Sequence, residues 1–215
     1  MIKYWQENSQ HMILLASQHG QMVLAALLIA FVIAVVIIYF CLRKENWLNS
    51  LIYVFSLLYS VPSYAFFALL IPVTGLGTTT AIIVLACYNE YVLLRTFITG
   101  IRGVDPDYIE VAKGLGMTDR EVFFKVQLPL AMPSIFSGLQ VALASTMAIA
   151  TIASTISAGG LGDLMFEGLQ TNNAVPILWG TILTIALTLI FIVILNLIKT
   201  LILSEGLTVK ENYHK

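Results

Sequence analysis

Among the residues able to do chemistry, Glu90 stands out because it lies inside the apolar run YNEYVLLR. A carboxylate at membrane depth marks a functional site by default. The plainer reading is an ion pair with Arg95 or with a neighbouring span, and it is the one favoured here. The other candidates do not converge. His11, His19 and His214 fall outside the apolar spans and show no ligand spacing. Cys41 and Cys87 stand alone in apolar stretches, which fits packing rather than a disulfide or zinc site. The glycine-rich GGLGD at 159–163 follows a span and does not join a strand to a helix, and no GxxxxGK[ST] occurs. No nucleophile, base pair or metal cluster accompanies any acid, so a catalytic site is not expected.

The densest set of ordered signals lies instead between residues 99 and 127, with no enzyme chemistry in it. Asp105 followed by Pro106 reads as an N-cap and a proline at the first helical position. A short helix through Tyr108, Ile109, Glu110, Val111 and Ala112 would end at Gly114 and Gly116, where positive φ is cheap. Thr118 then starts a second helix, and Glu121 three residues later completes a capping box. Val122, Phe123, Phe124 and Val126 supply an apolar face. Pro129 and Pro133 would turn the chain back into apolar surroundings. Charged loops are usually just solvated, but two caps, a glycine elbow and an aromatic face describe a docking surface. Leu115 and Met117 lie at that elbow among charges.

The rest of the chain must position this loop, and it is built for lipid. Of 215 residues, 59% are hydrophobic and 11% charged, with a net charge of −1. Mean hydropathy is +0.90. Soluble domains carry roughly a quarter charged residues, so a multi-pass protein of the cell membrane is expected and nucleic acid is not. The fold class read from this is an all-α membrane protein with five transmembrane helices. Spans are expected at Met22–Leu42, Trp47–Ile71 (with Pro62 inside it), Thr79–Phe97, Leu128–Ala158 and Pro176–Leu203. Residues 1–21 would form an external amphipathic segment rather than a cleaved signal peptide, and 204–215 a cytoplasmic tail. Lysine and arginine set the orientation. Arg43, Lys44, Arg95, Arg102, Lys113, Arg120, Lys125, Lys199, Lys210 and Lys215 share one side, against Lys3 on the other. The loop at 99–127 and the C-terminus would therefore be cytoplasmic, and the N-terminus outside.

The run EVAKGLG, Glu110 to Gly116, is followed after nine residues by VQLP, Val126 to Pro129. This resembles the EAA loop of ABC importer permeases, with Val111 for the middle alanine and Val126 for isoleucine. GLGTTTAII, TGIRGVDPDYIEVAKGLGMT and IATIASTISAGGLGDLMFEGL further resemble the permeases that import glycine betaine, carnitine and choline. The similarity covers roughly Pro62 to Asn173. VVIIYFCLRK departs from the glycine–proline–glycine pattern that often ends the family's first span, which suggests one of two paralogous permease subunits.

The resemblance implies the type I importer permease core. It implies separate ATPase subunits carrying ATP and Mg, a second permease copy or paralogue, and an extracytoplasmic substrate-binding protein. This chain would bind no cofactor itself. Glu110, Ala112, Gly116, Leu128 and Pro129 occupy motif positions, Asp105, Gly114, Leu115, Met117 and Thr118 complete the ATPase-docking loop, and Glu110 would hold the loop or pair with a cation. Thr151, Ser154, Thr155 and Gly159, near the outer end of the fourth span, are expected to line the gate, with Glu90 as a further pathway residue. The aromatics Tyr59, Tyr64, Phe66 and Phe67 share one expected span and are read as packing rather than as a cage for a quaternary ammonium. Within importers the alternative is a methionine-type or other small-metabolite permease. From a different class, an ion-coupled carrier would need broken helix pairs in inverted repeats.

Overall fold

A computed structural model describes residues 1–41 and 45–203. Leu42, Arg43, Lys44 and residues 204–215, which include the expected first turn and the tail with Lys210, His214 and Lys215, lie outside the described residues. The described chain is helical throughout, joined by short turns. Helix α1 runs from Ile2 to Cys41. It passes the boundary expected near residue 21 without a break.

Helix α2 covers Glu45–Ser60 and α3 covers Ser63–Thr74. The single span expected from Trp47 to Ile71 is thus two helices bent by 101°. Pro62 is the cause. It takes the N-cap position of α3 with φ −57° and ψ 130° and has no N–H to continue the α2 ladder. Four helices are long and apolar enough to cross a membrane, and the bent pair counts as a fifth if taken as one span. The bend also divides the expected aromatic set. Phe67 is buried and Tyr64 is exposed. Tyr59 and Phe66 meet Tyr88 of the next helix, with centroids 5.5 and 5.7 Å apart.

That helix, α4 (Thr78–Arg102), is the centre of the bundle and packs chiefly against α1 and α7. Short helices α5 (Pro106–Gly114) and α6 (Asp119–Val122) follow. A π-helical turn, Phe123–Gln127, leads directly into α7 (Leu128–Ala150). A 3₁₀ turn at Ile152–Ile156 ends the α7 rod. Helix α8 (Gly162–Gln170) lies across the same end of the bundle, and α9 (Ala174–Ile202) returns.

Lipid supplies little hydrophobic drive between helices, so close approach must come from small residues. Ala26, Ala30 and Ala34 of α1, one turn apart, are all fully buried. Phe31 of α1 meets Phe97 of α4 edge-on at 5.9 Å. On the α7 side, a Cβ added at Gly138 would stand 2.1 Å from Thr96 Oγ1 and 2.7 Å from Thr96 Cβ. Helix α9 is buried only at Pro176 and Gly180 and turns Ile182, Leu189, Val193 and Leu197 outward.

The α4–α7 contact yields a stability prediction. Gly138→Leu should lower stability in detergent by about 1–3 kcal/mol, the usual cost of overpacking. Adding Thr96→Ala should return a large part of it. Thermal unfolding of the single and double variants checks this; additive losses would show that the two positions do not touch.

Candidate functional site

Residues 103–129 form a compact projection at one end of the bundle. Its first helix begins as the sequence predicts: Asp105 Oδ1 accepts the Asp107 N–H at 3.0 Å, with Pro106 next. Its end is a Schellman turn. The Met117 N–H reaches Ala112 O at 3.2 Å, and the Gly116 N–H reaches Lys113 O at 2.9 Å. Gly116 adopts φ +82°. Gly114 does not share that role; it remains the last helical residue of α5, so only one glycine makes the elbow.

The second cap is a complete capping box. The Glu121 N–H donates to Thr118 Oγ1 at 3.4 Å, and the Thr118 N–H donates to Glu121 Oε2 at 3.1 Å. Lys125 Nζ sits 2.9 Å from the other carboxylate oxygen. This ammonium first, and the Thr118 amide and hydroxyl next, hold the Glu121 carboxyl down at about 2. Lys113 and Asp119 bridge the two helices at 3.4 Å. Both are largely exposed, so the pair contributes little beyond orientation.

The two faces of α5 differ. Tyr108, Val111 and Leu115, at helical spacing, are 58%, 63% and 76% exposed. Ala112 is buried and Met117 partly so. On the other face, Ile109 and Lys113 line a groove of about 500 Å³ shared with Tyr39, Phe40 and Phe123. Glu110 is exposed, and among the described residues its carboxylate makes no hydrogen bond or ion pair. Of the two expected roles, holding the loop or pairing with a cation, the first has no contact behind it among the described residues. Leu128 and Pro129 are half-buried, where the projection joins α7.

Pro129 does not turn the chain, and neither does Pro133. The 32 residues from Asp119 to Ala150 form one continuous rod. The π turn makes this possible: its wider register lets the Leu128 N–H bond to Phe123 O, five residues back. Proline at the second position of α7 then needs no donor of its own.

The gate candidates lie at the opposite end. Thr151 Oγ1, Ser154 Oγ and Thr155 Oγ1 each bond to a carbonyl three residues earlier, at 2.7, 2.8 and 2.7 Å. Ser154 and Thr155 border a depression of about 440 Å³ with Asp163, Phe166 and Glu167. Burial pushes the Asp163 carboxyl above its ordinary range, partly offset by His11. Gly159 opens instead on a second depression, with Gln18, Thr78 and Ser157. The structure therefore divides Ser154 and Thr155 from Gly159, and Thr151 lines neither depression.

Glu90 belongs to neither. It is 2% exposed, and both carboxylate oxygens lack a hydrogen-bond partner. The expected pair with Arg95 is absent: Glu90 points into the bundle while Arg95 is exposed, where its Nη1 donates to Tyr91 Oη at 2.8 Å. Beside Glu90, Asn89 Oδ1 accepts from Thr146 Oγ1 at 2.8 Å. His19, expected outside the spans, is fully buried in α1, and its Nε2 stands 3.2 Å from Met147 O. Sequence reasoning missed Gln18, His19, Asn89 and Thr146. The available signal was polar side chains adjoining or interrupting apolar runs.

The chain matches a model of the binding-protein-dependent transport system inner membrane component over residues 26–204. It is 36% identical over 190 residues to the carnitine transport permease protein OpuCB of Listeria monocytogenes, covering 88% of this chain and 87% of that one. It is 30% identical over 207 residues to the glycine betaine/carnitine/choline transport system permease protein OpuCB of Bacillus subtilis (strain 168), covering 96% and 95%. Its fold is similar to a chain of the MetNI methionine ABC transporter in an inward-facing form, with a TM-score of 0.75, 17% identity and coverage of 87% and 94%. A bundle of membrane-spanning helices with a rigid capped projection, matched over most of its length, thus belongs to the inner-membrane component family of binding-protein-dependent transport systems.

Proposed function

We propose that this chain is the permease subunit of an ATP-binding cassette importer for an osmoprotectant such as glycine betaine, carnitine or choline. The observation that carries the coupling role is the projection at 105–122. It is capped at both helix starts, turned by a Schellman elbow, and presents an apolar stripe of Tyr108, Val111 and Leu115. An exposed apolar stripe on a stiff element is a contact surface. Its register, from Glu110 to Pro129, is that of the EAA loop, so the partner is an ATPase subunit holding ATP and Mg. Glu110, exposed and unpaired among the described residues, is placed to meet a cation of that ATPase.

The lysine and arginine distribution puts the projection in the cytoplasm. Residues 1–21 and the surface around α8 then lie outside, where a binding protein would deliver the solute. The solute class rests on the relatives, whose names specify carnitine, choline and glycine betaine. The methionine-type alternative gains no support from the likeness to the methionine transporter, because 17% identity speaks to fold alone. A second permease, copy or paralogue, would cover the outward face of α9 or the bent α2–α3 pair and complete the pathway.

Two predictions test the coupling role. Leu115→Asp should leave membrane insertion unchanged and reduce co-purification of the ATPase at least about tenfold, as expected for an interface anchor. Gly116→Pro forces φ to about −65° where the elbow needs +82°. It should insert normally but uncouple ATP hydrolysis from uptake, as should Glu110→Arg. Wild-type solute uptake by these variants, or labelling of Lys113 by an impermeant reagent applied from outside, would overturn the docking role.

A further inference from the structure

The end of α7 opposite the projection carries a polar contact that the coupling mechanism does not use. The α-helix stops at Ala150, and the Thr151 N–H turns to Ala148 O three residues back, at 3.3 Å. Met147 O thereby loses the donor four residues on that a continuing helix would give it. His19 Nε2 takes that place at 3.2 Å, across 128 residues of chain. His19 is fully buried. With Nε2 donating, Nδ1 must be the ring's acceptor, and among the described residues Nδ1 has no partner.

Directly over that nitrogen lies the loop between the 3₁₀ turn and α8. A Cβ at Gly160 would stand 3.0 Å from His19 Nδ1, and one at Gly159 would stand 2.5 Å from Gln18 Oε1. The Gly160 N–H donates to Gln18 Oε1 at 3.3 Å, longer than an ordinary amide bond. The backbone at Gly160 thus lies against two acceptors on consecutive residues of α1: Gln18 Oε1, weakly engaged by the Gly160 amide, and His19 Nδ1, unpartnered among the described residues. The segment that carries it is tightly wound: Ser157, Gly159 and Gly160 all have positive φ, at 63°, 73° and 92°. The depression lined by Gln18, Gln21, Thr78 and Ser157 opens beside it, about 440 Å³ in volume.

We infer that Gln18 and His19 form a two-position latch for the 159–161 loop. His19 Nε2 ties α1 to the end of α7, and the Gly160 amide exchanges between Gln18 Oε1 and His19 Nδ1 as the outer end opens and closes. His19 is then a positioning residue for transport, acting through the loop that carries the gate. This rests on the importer reading, because only a pathway with two states needs a loop with two seats. Breaking the latch decouples the loop from α1 without touching the ATPase-docking projection at the other end.

The test uses the whole transporter in proteoliposomes: this chain, its permease partner, the ATPase subunits and the binding protein, with carnitine, choline and glycine betaine as probes. His19→Leu removes both nitrogens. It should lower solute moved per ATP hydrolysed about tenfold, in line with one lost buried hydrogen bond, while ATP hydrolysis stays near wild type. His19→Gln keeps an amide able to donate to Met147 O and should recover most of that ratio. Gln18→Leu alters a surface side chain, so it tests the latch even if His19→Leu does not fold; it should lower the ratio in the same direction. A wild-type ratio in both leucine variants overturns the latch. So does a parallel fall of uptake and hydrolysis in proportion to folded protein, which is what a merely structural histidine would give. Failure of the wild-type chain to assemble with an ATPase would instead overturn the importer reading.

Discussion

Hydrocarbon offers no water, so a polypeptide crossing it must satisfy each backbone N–H and C=O from within. Regular helix does this automatically, and the cost concentrates where helix stops. This chain breaks its helices in or beside the apolar zone at several places, and at each a side chain or a distant amide repairs the damage. At the Pro62 bend, Tyr88 Oη donates to Val61 O. After α3, Thr80 Oγ1 donates to Gly75 O. The Gly77 N–H donates to Ile156 O at 2.8 Å, joining the turn before α4 to the 3₁₀ turn after α7. His19 covers Met147 O, and Gln18 holds the Gly160 amide. These repairs are why α1, α4 and α7 meet as they do. The apolar packing around them is adaptable, whereas an orphaned buried backbone group costs several kcal/mol in lipid.

The projection follows the opposite regime. In water its exposed backbone groups could be solvated, yet they are capped internally. Thr118 and Glu121 close one helix start, Asp105 closes the other, and the Schellman bonds close the elbow. The effect of such capping is rigidity more than stability, since each cap contributes only about 1 kcal/mol. A loop meant merely to connect α4 to α7 would gain nothing from being stiff. A loop meant to be gripped would. In the proposed importer the grip would reach an apolar stripe that the described residues leave uncovered, and Tyr108, Val111 and Leu115 supply it.

What could be read in the sequence divides along the same line. The caps at Asp105 and Thr118 and the turn at Gly116 are local, set by residues within a few positions of one another, and the structure has them where the sequence reads them. The apolar runs identified the bundle for the same reason. Local signals misled where a second element decides the outcome. Pro62 reads as a tolerable proline within one span, but the 101° bend depends on Tyr88 of α4 to receive the freed carbonyl. Pro129 reads as a break and is not one, because a π turn absorbs it. Gly114 and Gly116 look equivalent in sequence, and only the hydrogen-bond register shows which of them turns the chain. His19 reads as part of an external segment because its partner lies 128 residues away. Glu90 reads as half of an ion pair with Arg95, but helix packing buries Glu90 and leaves Arg95 exposed. The misses at Pro62 and His19 concern contacts between residues far apart in sequence, and those at Pro129 and Gly114 concern hydrogen-bond register, which residue type alone does not encode.

The continuity of the rod ties the two ends together. Asp119 to Ala150 is one helix of 32 residues, about 48 Å at 1.5 Å per residue. Its first turn belongs to the projection proposed to be gripped by the ATPase, and its last residue adjoins Thr151. A helix of that length resists stretching far better than it resists tilting, because stretching would open its ladder of hydrogen bonds while tilting only slides its surface past neighbours. Displacement of the projection is therefore delivered to the far end as tilt. The surface on which α7 tilts is α4, where Gly138 lies directly against Thr96. The side chain seated there is only a threonine in the shallow notch of a glycine, which gives way to sliding more readily than a large knob in a deep hole. The π turn at Phe123–Gln127 is the weakest stretch of the ladder, and it lies next to the grip rather than in mid-membrane. Compliance at that point lets the projection keep its orientation in the partner while the rod changes angle. Placed beside the gate, the same turn would let the pull be lost as bending before it reached Thr151.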